Sequence, residues 1–310
     1  MNFILVPFLL GVRLPASEDR WGNGPEYTFN ATIGTISNLH GDHGKYMGSS
    51  LFTALKCRPK EPDRLQCRFE NTRIAKLTPD TFKAEAVIPP EDVTYSEFGF
   101  GNNTFEIKFN DKGIESYTFE QDVPNFNYFL NNMYRLVANH LSVLSRIRTI
   151  KQVEELENTT VGECFVNYKV SPRKLDNRAT KKEFQLTWLP DEMMDAEQAI
   201  EMSKEVHLNN CIPHPVYRFG TRHSYGVVPV ESIEKLRSSV WHMYISNSNF
   251  TSESVNTVNV YDLNRELIGS AIDHIRVTLA SIDPPRSPLK EMSKSTTIGP
   301  GLHEDPRSFI

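Results

Sequence analysis

Apolar residues spaced two apart recur along the chain, and that spacing restricts it to a sheet-built fold. Between Tyr27 and Ile33, the side chains of Tyr27, Phe29, Ala31 and Ile33 share one face, and Thr28, Asn30 and Thr32 share the other. Successive residues of a strand point to opposite faces, so strict alternation marks a half-buried antiparallel strand. The same phase returns in Leu51, Thr53, Leu55 and Cys57, and in Leu65, Cys67 and Phe69, across a polar, proline-bearing turn at 58–63. Cys57 and Cys67 therefore face inward from opposite arms of a hairpin. They can bridge if the register brings their Cβ atoms to about 4 Å; two buried free thiols are the equal alternative. A second hairpin runs from Phe105, Ile107 and Phe109 through 110–113 into Ile114, Tyr117 and Phe119. Further strands are expected at 164–170, 183–189, 205–210, 239–246, 257–263 and 275–282. Strands at this spacing predict a mainly β domain, a barrel or a sandwich.

One segment has the other period. Phe126, Phe129, Leu130, Met133, Leu136, Val137, Leu141 and Leu144 recur at steps of three and four, the stripe of one long amphipathic helix. Asp122 suits its cap and Pro124 its first turn. Asn131, Asn132, Arg135 and Asn139 occupy the opposite side. A sheet curled around such a helix would bury the stripe; a helix packed outside a barrel is the alternative, and spacing does not separate the two. The stripe is either core or a lipid-binding surface.

The ends of the chain set the compartment. Residues 3–12 (FILVPFLLGV) are an apolar run of signal-peptide length, followed by small and breaking residues up to Ala16, so residues 1–16 are expected to be a cleaved leader and the protein secreted. The four cysteines, Cys57, Cys67, Cys164 and Cys211, are even in number and form no CxxC pair, which fits disulfides in an oxidising compartment. Four Asn-x-Ser/Thr sequons stand at Asn30, Asn102, Asn158 and Asn249, so these are candidate glycosylation sites. No apolar run is long enough for a membrane helix. After Ile282, prolines at 284, 285, 288, 300 and 306 and few apolar residues predict a disordered tail over 283–310.

Chemistry-bearing motifs are scarce. The net charge of −5 does not point to nucleic acid. The chain contains no G-x-S-x-G elbow, P-loop, G-x-G-x-x-G or H-E-x-x-H, and the expectation is a protein that is not an enzyme. His40, Asp42 and His43 form the one local cluster of metal-ligating types and could hold zinc; a solvated turn is the competing reading.

In the C-terminal half, Gly162-Glu-Cys164-Phe-Val-Asn-Tyr168 is followed by Lys204-Glu-Val-His-Leu208-Asn-Asn-Cys211 and Tyr217-Arg-Phe-Gly220. This pattern resembles the paired-cysteine region of the vitellogenin N-terminal module of the large lipid transfer proteins. Gly24-Pro-Glu-Tyr-Thr-Phe29 resembles its opening strand, Asp122-Val-Pro124 with the following helix its central helix, and residues 238–282 its closing strands. The resemblance implies one domain over 17–282, an antiparallel β-barrel wrapped around the 124–148 helix, and a Cys164–Cys211 bridge, with Cys57–Cys67 as its complement. It makes the 206–208 region a strand despite the helix-forming composition of 191–204. It also implies a lipid-transport or yolk-nutrient role. A chain that stops at Ile310 is expected to carry the barrel without the large lipid cavity. The favoured activity is therefore binding of a lipoprotein receptor or lipoprotein subunit. Alternatives are a small lipid carrier using the barrel interior and a zinc- or pathogen-surface-binding immune factor; no cofactor other than lipid or zinc is implied.

Overall fold

The computed structural model describes residues 2–4, 10–13, 21–40, 46–79, 93–98, 103–120, 128–143, 152–174, 185–188, 198–212, 229, 232–292 and 294–301. The strands are β1 (Asn2–Ile4), β2 (Leu10–Arg13), β3 (Glu26–Leu39), β4 (Tyr46–Lys60), β5 (Arg64–Leu77), β6 (Ser96–Glu97), β7 (Thr104–Asn110), β8 (Gly113–Glu120), β9 (Gln152–Thr159), β10 (Gly162–Lys174), β11 (Gln185–Trp188), β12 (Gln198–Val206), β13 (Ile233–Ser246), β14 (Phe250–Tyr261), β15 (Leu267–Asp283) and β16 (Ser295–Ile298), with helix α1 (Tyr128–Ala138) between β8 and β9.

The main sheet runs β8-β7-β5-β4-β3-β15-β14-β13-β12-β10-β9 and returns from β9 to β8, closing an 11-stranded barrel. Ten of these junctions are antiparallel ladders; the eleventh is a single parallel bridge between Gly113 and Asn158. At that seam the Asn158 backbone N–H donates to the Lys112 carbonyl at 2.9 Å, and its side-chain Nδ2 donates to the Ile114 carbonyl at 3.0 Å. β1 pairs with β2, and β2 with β11, in a separate three-stranded sheet.

The first strand alternates as its sequence requires. Tyr27, Phe29, Ala31 and Ile33 are buried while Asn30 is exposed. In the β4–β5 hairpin Cys57 stands directly opposite Cys67, and the two are bridged; a second disulfide joins Cys164 to Cys211. Three expectations need correction. The helix ends at Ala138 and tightens into a 3-10 turn at Asn139–Leu141, because Asn139 and His140 are poor helix formers at the point where the buried stripe would have to continue. The strand expected at 205–210 lies at Gln198–Val206, and Leu208–Asn210 is a 3-10 turn. Helix-forming residues there are held extended by ladders to β10 and β13 on either side. The tail is not without structure from 283 onward. Arg58 donates to the Ser287 carbonyl at 2.8 Å, Gln66 exchanges hydrogen bonds with the backbone of Lys290, and β16 adds to the edge of β8. Gln185–Trp188 is a strand within the expected 183–189, whose other residues lie outside the described ones.

Helix α1 is buried along its described side chains, 131–138. The Tyr134 ring lies 4.8 Å from Phe69 of β5, 4.5 Å from Phe105 of β7 and 5.2 Å from Phe119 of β8, centroid to centroid. Each such aromatic pair adds about 0.5–1.5 kcal/mol beyond burial. Phe126 and Leu144 lie outside the described residues, as do the side chains of Phe129 and Leu130. Met133, Leu136, Val137 and Leu141 are core.

Candidate functional site

Two arrangements concentrate polar chemistry, one inside the wall and one outside. The inner one begins at Glu157 of β9, which is fully buried. It accepts the Tyr168 hydroxyl of β10 and, at 2.5 Å, the Lys204 ammonium of β12. Lys204 also lies 4.4 Å from the Trp241 ring centroid of β13, within cation–π range. His140 stacks on the same Trp241 at 4.4 Å, and its ring nitrogens meet Ser252 at 2.9 Å and Ser254 at 3.1 Å, both on β14. Inward positions of five strands thus form one polar chain ending on the turn after α1. Burial, and then the Glu157 carboxylate, push the Tyr168 phenol well above its ordinary range. Burial, with Lys204 and His274 adding repulsion, lowers His140 to about 3. The members of this chain are buried, and through His140 it ties the turn after α1 to the wall.

The outer arrangement comes from the opposite phase of the same strands. One register row across β10, β12, β13, β14 and β15 reads Lys169, Ser203, His242, Glu253, Arg276. The next row begins Ser171, Glu201, Tyr244, Thr251. All of these except Arg276, together with Arg173, which pairs with Glu201 at 2.8 Å, line a groove of about 480 Å³. Glu253 is bonded by His274, while Lys169 and His242 remain exposed. Side chains of both signs, ordered by the ladder, give this groove the means to recognise a charged protein surface.

The other sequence candidates are dispersed. His40 is exposed just past β3, and Asp42 and His43 lie outside the described residues. Among the described residues no three His, Cys, Asp or Glu side chains group as metal ligands. Asn30 is exposed, Asn158 and Asn249 are half-buried, and Asn102 lies outside the described residues. Sequence reasoning missed both polar arrangements. Their members are separated by up to about a hundred residues and meet only through strand register, which no local spacing encodes.

The vitellogenin N-terminal domain family matches residues 21–282. A vitellogenin of Anthonomus grandis is 22% identical over 321 aligned positions, which cover 92% of this chain. A solved structure concerned with lipid–protein interactions in lipovitellin superposes with a TM-score of 0.55 at 15% identity, covering 93% of this chain. The chain spans 17% of the length of that vitellogenin and 28% of that lipovitellin chain. With a fold shared with that lipovitellin structure and the family match spanning 21–282, this chain belongs to the vitellogenin N-terminal domain family.

Proposed function

We propose that this chain is a secreted, non-enzymatic member of the lipid-transport family that binds a lipoprotein receptor or lipoprotein subunit through the groove over β10, β12, β13 and β14. The row Lys169, Ser203, His242, Glu253, Arg276 carries the reading, since it is a preformed, two-signed surface on rigid strands. The interior supports it. Tyr134 meets β5, β7 and β8, whereas His140 meets β13 and β14, which stand across the ring in strand order. We place α1 inside the barrel on that basis. We read an interior occupied by the buried Met133, Tyr134, Leu136, Val137 and Leu141 as core, with no store for several acyl chains unless the helix moves. The lipid-carrier reading draws on the lipovitellin likeness and requires that movement. In a surface-plasmon experiment with purified lipoprotein-receptor ectodomains and lipoprotein subunits, Lys169→Glu/Arg173→Glu should weaken capture at least tenfold. Unchanged capture, or no capture of any of them by the wild type, overturns the assignment.

Secretion draws on the two disulfides, which suit an oxidising compartment. Removal of residues 1–16 would leave Ser17 at the N-terminus. Asn30 is the favoured glycan acceptor because it is exposed in mid-strand, whereas Asn158 has its Nδ2 engaged at the barrel seam. Intact-mass analysis before and after deglycosylation should give a chain starting at Ser17 with sugar on Asn30. A retained Met1 or a bare Asn30 contradicts this.

A further inference from the structure

Helix α1 and the turn after it carry a polar stripe that the sheet leaves unanswered. Asn131, Arg135 and Asn139 are spaced by four, so they share one side over about 12 Å, and Ser142 follows one turn later. Their exposures are 6%, 0%, 2% and 2%. Nevertheless Asn131 Nδ2, Arg135 Nη2, Asn139 Nδ2 and Ser142 Oγ find no hydrogen-bond partner among the described residues. The three nitrogens are donors, so the stripe lacks acceptors. Arg135 is the extreme case. Its Nε donates to the Gly299 carbonyl at 3.0 Å and its Nη1 to Asn132 Oδ1 at 3.1 Å, and its described partners include no carboxylate. Burial lowers it to about 10, which still leaves a cation at neutral pH. Two neutral oxygens satisfy two of its donors without cancelling its charge.

The stripe looks toward the seam of the barrel. Arg135 reaches Gly299, the residue after β16, which itself lies on the edge of β8. Tyr117 of β8 is its electrostatic neighbour. Ser142 Oγ lies 2.7 Å from where a Cβ on Gly113 would stand, and Gly113 has φ +97°. A side chain at Gly113 would be strained and would strike Ser142, so glycine keeps the inner side of the seam clear. Here the wall is reduced to the one bridge between Gly113 and Asn158.

We propose that Arg135, with Asn131 and Asn139, forms an anion site behind the β8–β9 seam that takes a carboxylate or phosphate group. The guanidinium fork matches either group, and Nη2 is the donor left to receive it. The anion arrives either as the headgroup of a single-chain amphiphile or as a free ion. This site is independent of the outer groove.

Calorimetric titration of the full chain with oleate, with oleoyl lysophosphatidate and with inorganic phosphate tests the site. At least one should bind at one per chain, with affinity at least tenfold weaker in Arg135→Gln and at least threefold weaker in Asn139→Leu. Arg135→Lys should retain more affinity than Arg135→Gln. Saturation by phosphate identifies a free-anion site; saturation by the amphiphiles alone identifies a headgroup site. No saturable binding of any of the three overturns the proposal, as does equal affinity in Arg135→Gln. If Arg135→Gln loses its near-ultraviolet dichroism, Asn139→Leu decides instead, and unchanged affinity there overturns it.

Discussion

At the scale of single residues, His140 ties the helix to the wall. Its two nitrogens are committed to Ser252 and Ser254, its ring is stacked on Trp241, and it is fully buried. Burial first, then the nearby cations, lowers it from the ordinary 6.5 to about 3. Between those values the unfolded chain takes up a proton that the folded chain refuses. The stabilisation is therefore complete above pH 6.5 and is lost as pH falls toward 3, at about 1.4 kcal/mol per pH unit. Wild-type stability should drop by about 2 kcal/mol from pH 6.5 to 5 on this account, and His140→Asn should show a flatter profile. Parallel unfolding curves for the two proteins over that range would refute the assignment. Other charged residues illustrate the opposite balance. Burial raises the Glu106 carboxyl, but hydrogen bonds from Lys60, Arg64 and Gln66 outweigh it and hold it below its ordinary range. None of these partnerships is visible in the sequence, where Glu157 and Lys204 are simply two charges 47 positions apart.

At the scale of elements, local patterns were legible wherever one face of a strand meets the core. Tyr27 to Ile33 and the Cys57–Cys67 hairpin follow from alternation alone, because a shift of one residue would turn every apolar side chain outward. Legibility failed where neighbours override local preference. Residues 198–204 have helix-forming composition, yet they pair with β10 and β13 as a strand. Residues 295–298 carry one apolar side chain, Ile298, too few to show an alternation, and they become a strand by pairing with the edge of β8. The disulfides make an element-scale prediction. Cys57–Cys67 spans 10 residues inside one hairpin, whereas Cys164–Cys211 spans 47 and ties β10 to the turn after β12. Chain entropy alone gives about 3 kcal/mol for the shorter loop and about 4 kcal/mol for the longer. Replacing Cys164 and Cys211 by Ala should lower the denaturation midpoint more than replacing Cys57 and Cys67; the reverse ranking would contradict this.

At the scale of the whole molecule, closure of the barrel was anticipated through resemblance, but its quality around the ring was not. Continuous ladders on ten junctions leave the single Gly113–Asn158 bridge as the weak point, and the segment ending at Gly301 runs beside it. That asymmetry is a property of register summed over eleven strands, and no motif records it. Tyr134 of α1 packs on Phe69, Phe105 and Phe119, and on β10, β13 and β14 register orders Lys169, His242 and Glu253 into a groove. We propose that the interior serves as core, with recognition on the outside. Native mass spectrometry of the purified protein, with organic extraction of whatever accompanies it, tests this most directly. The expected result is a protein free of neutral lipid, carrying at most one small anionic molecule per chain. Several acyl lipids per chain, held in fixed proportion, would contradict it and make the barrel a carrier.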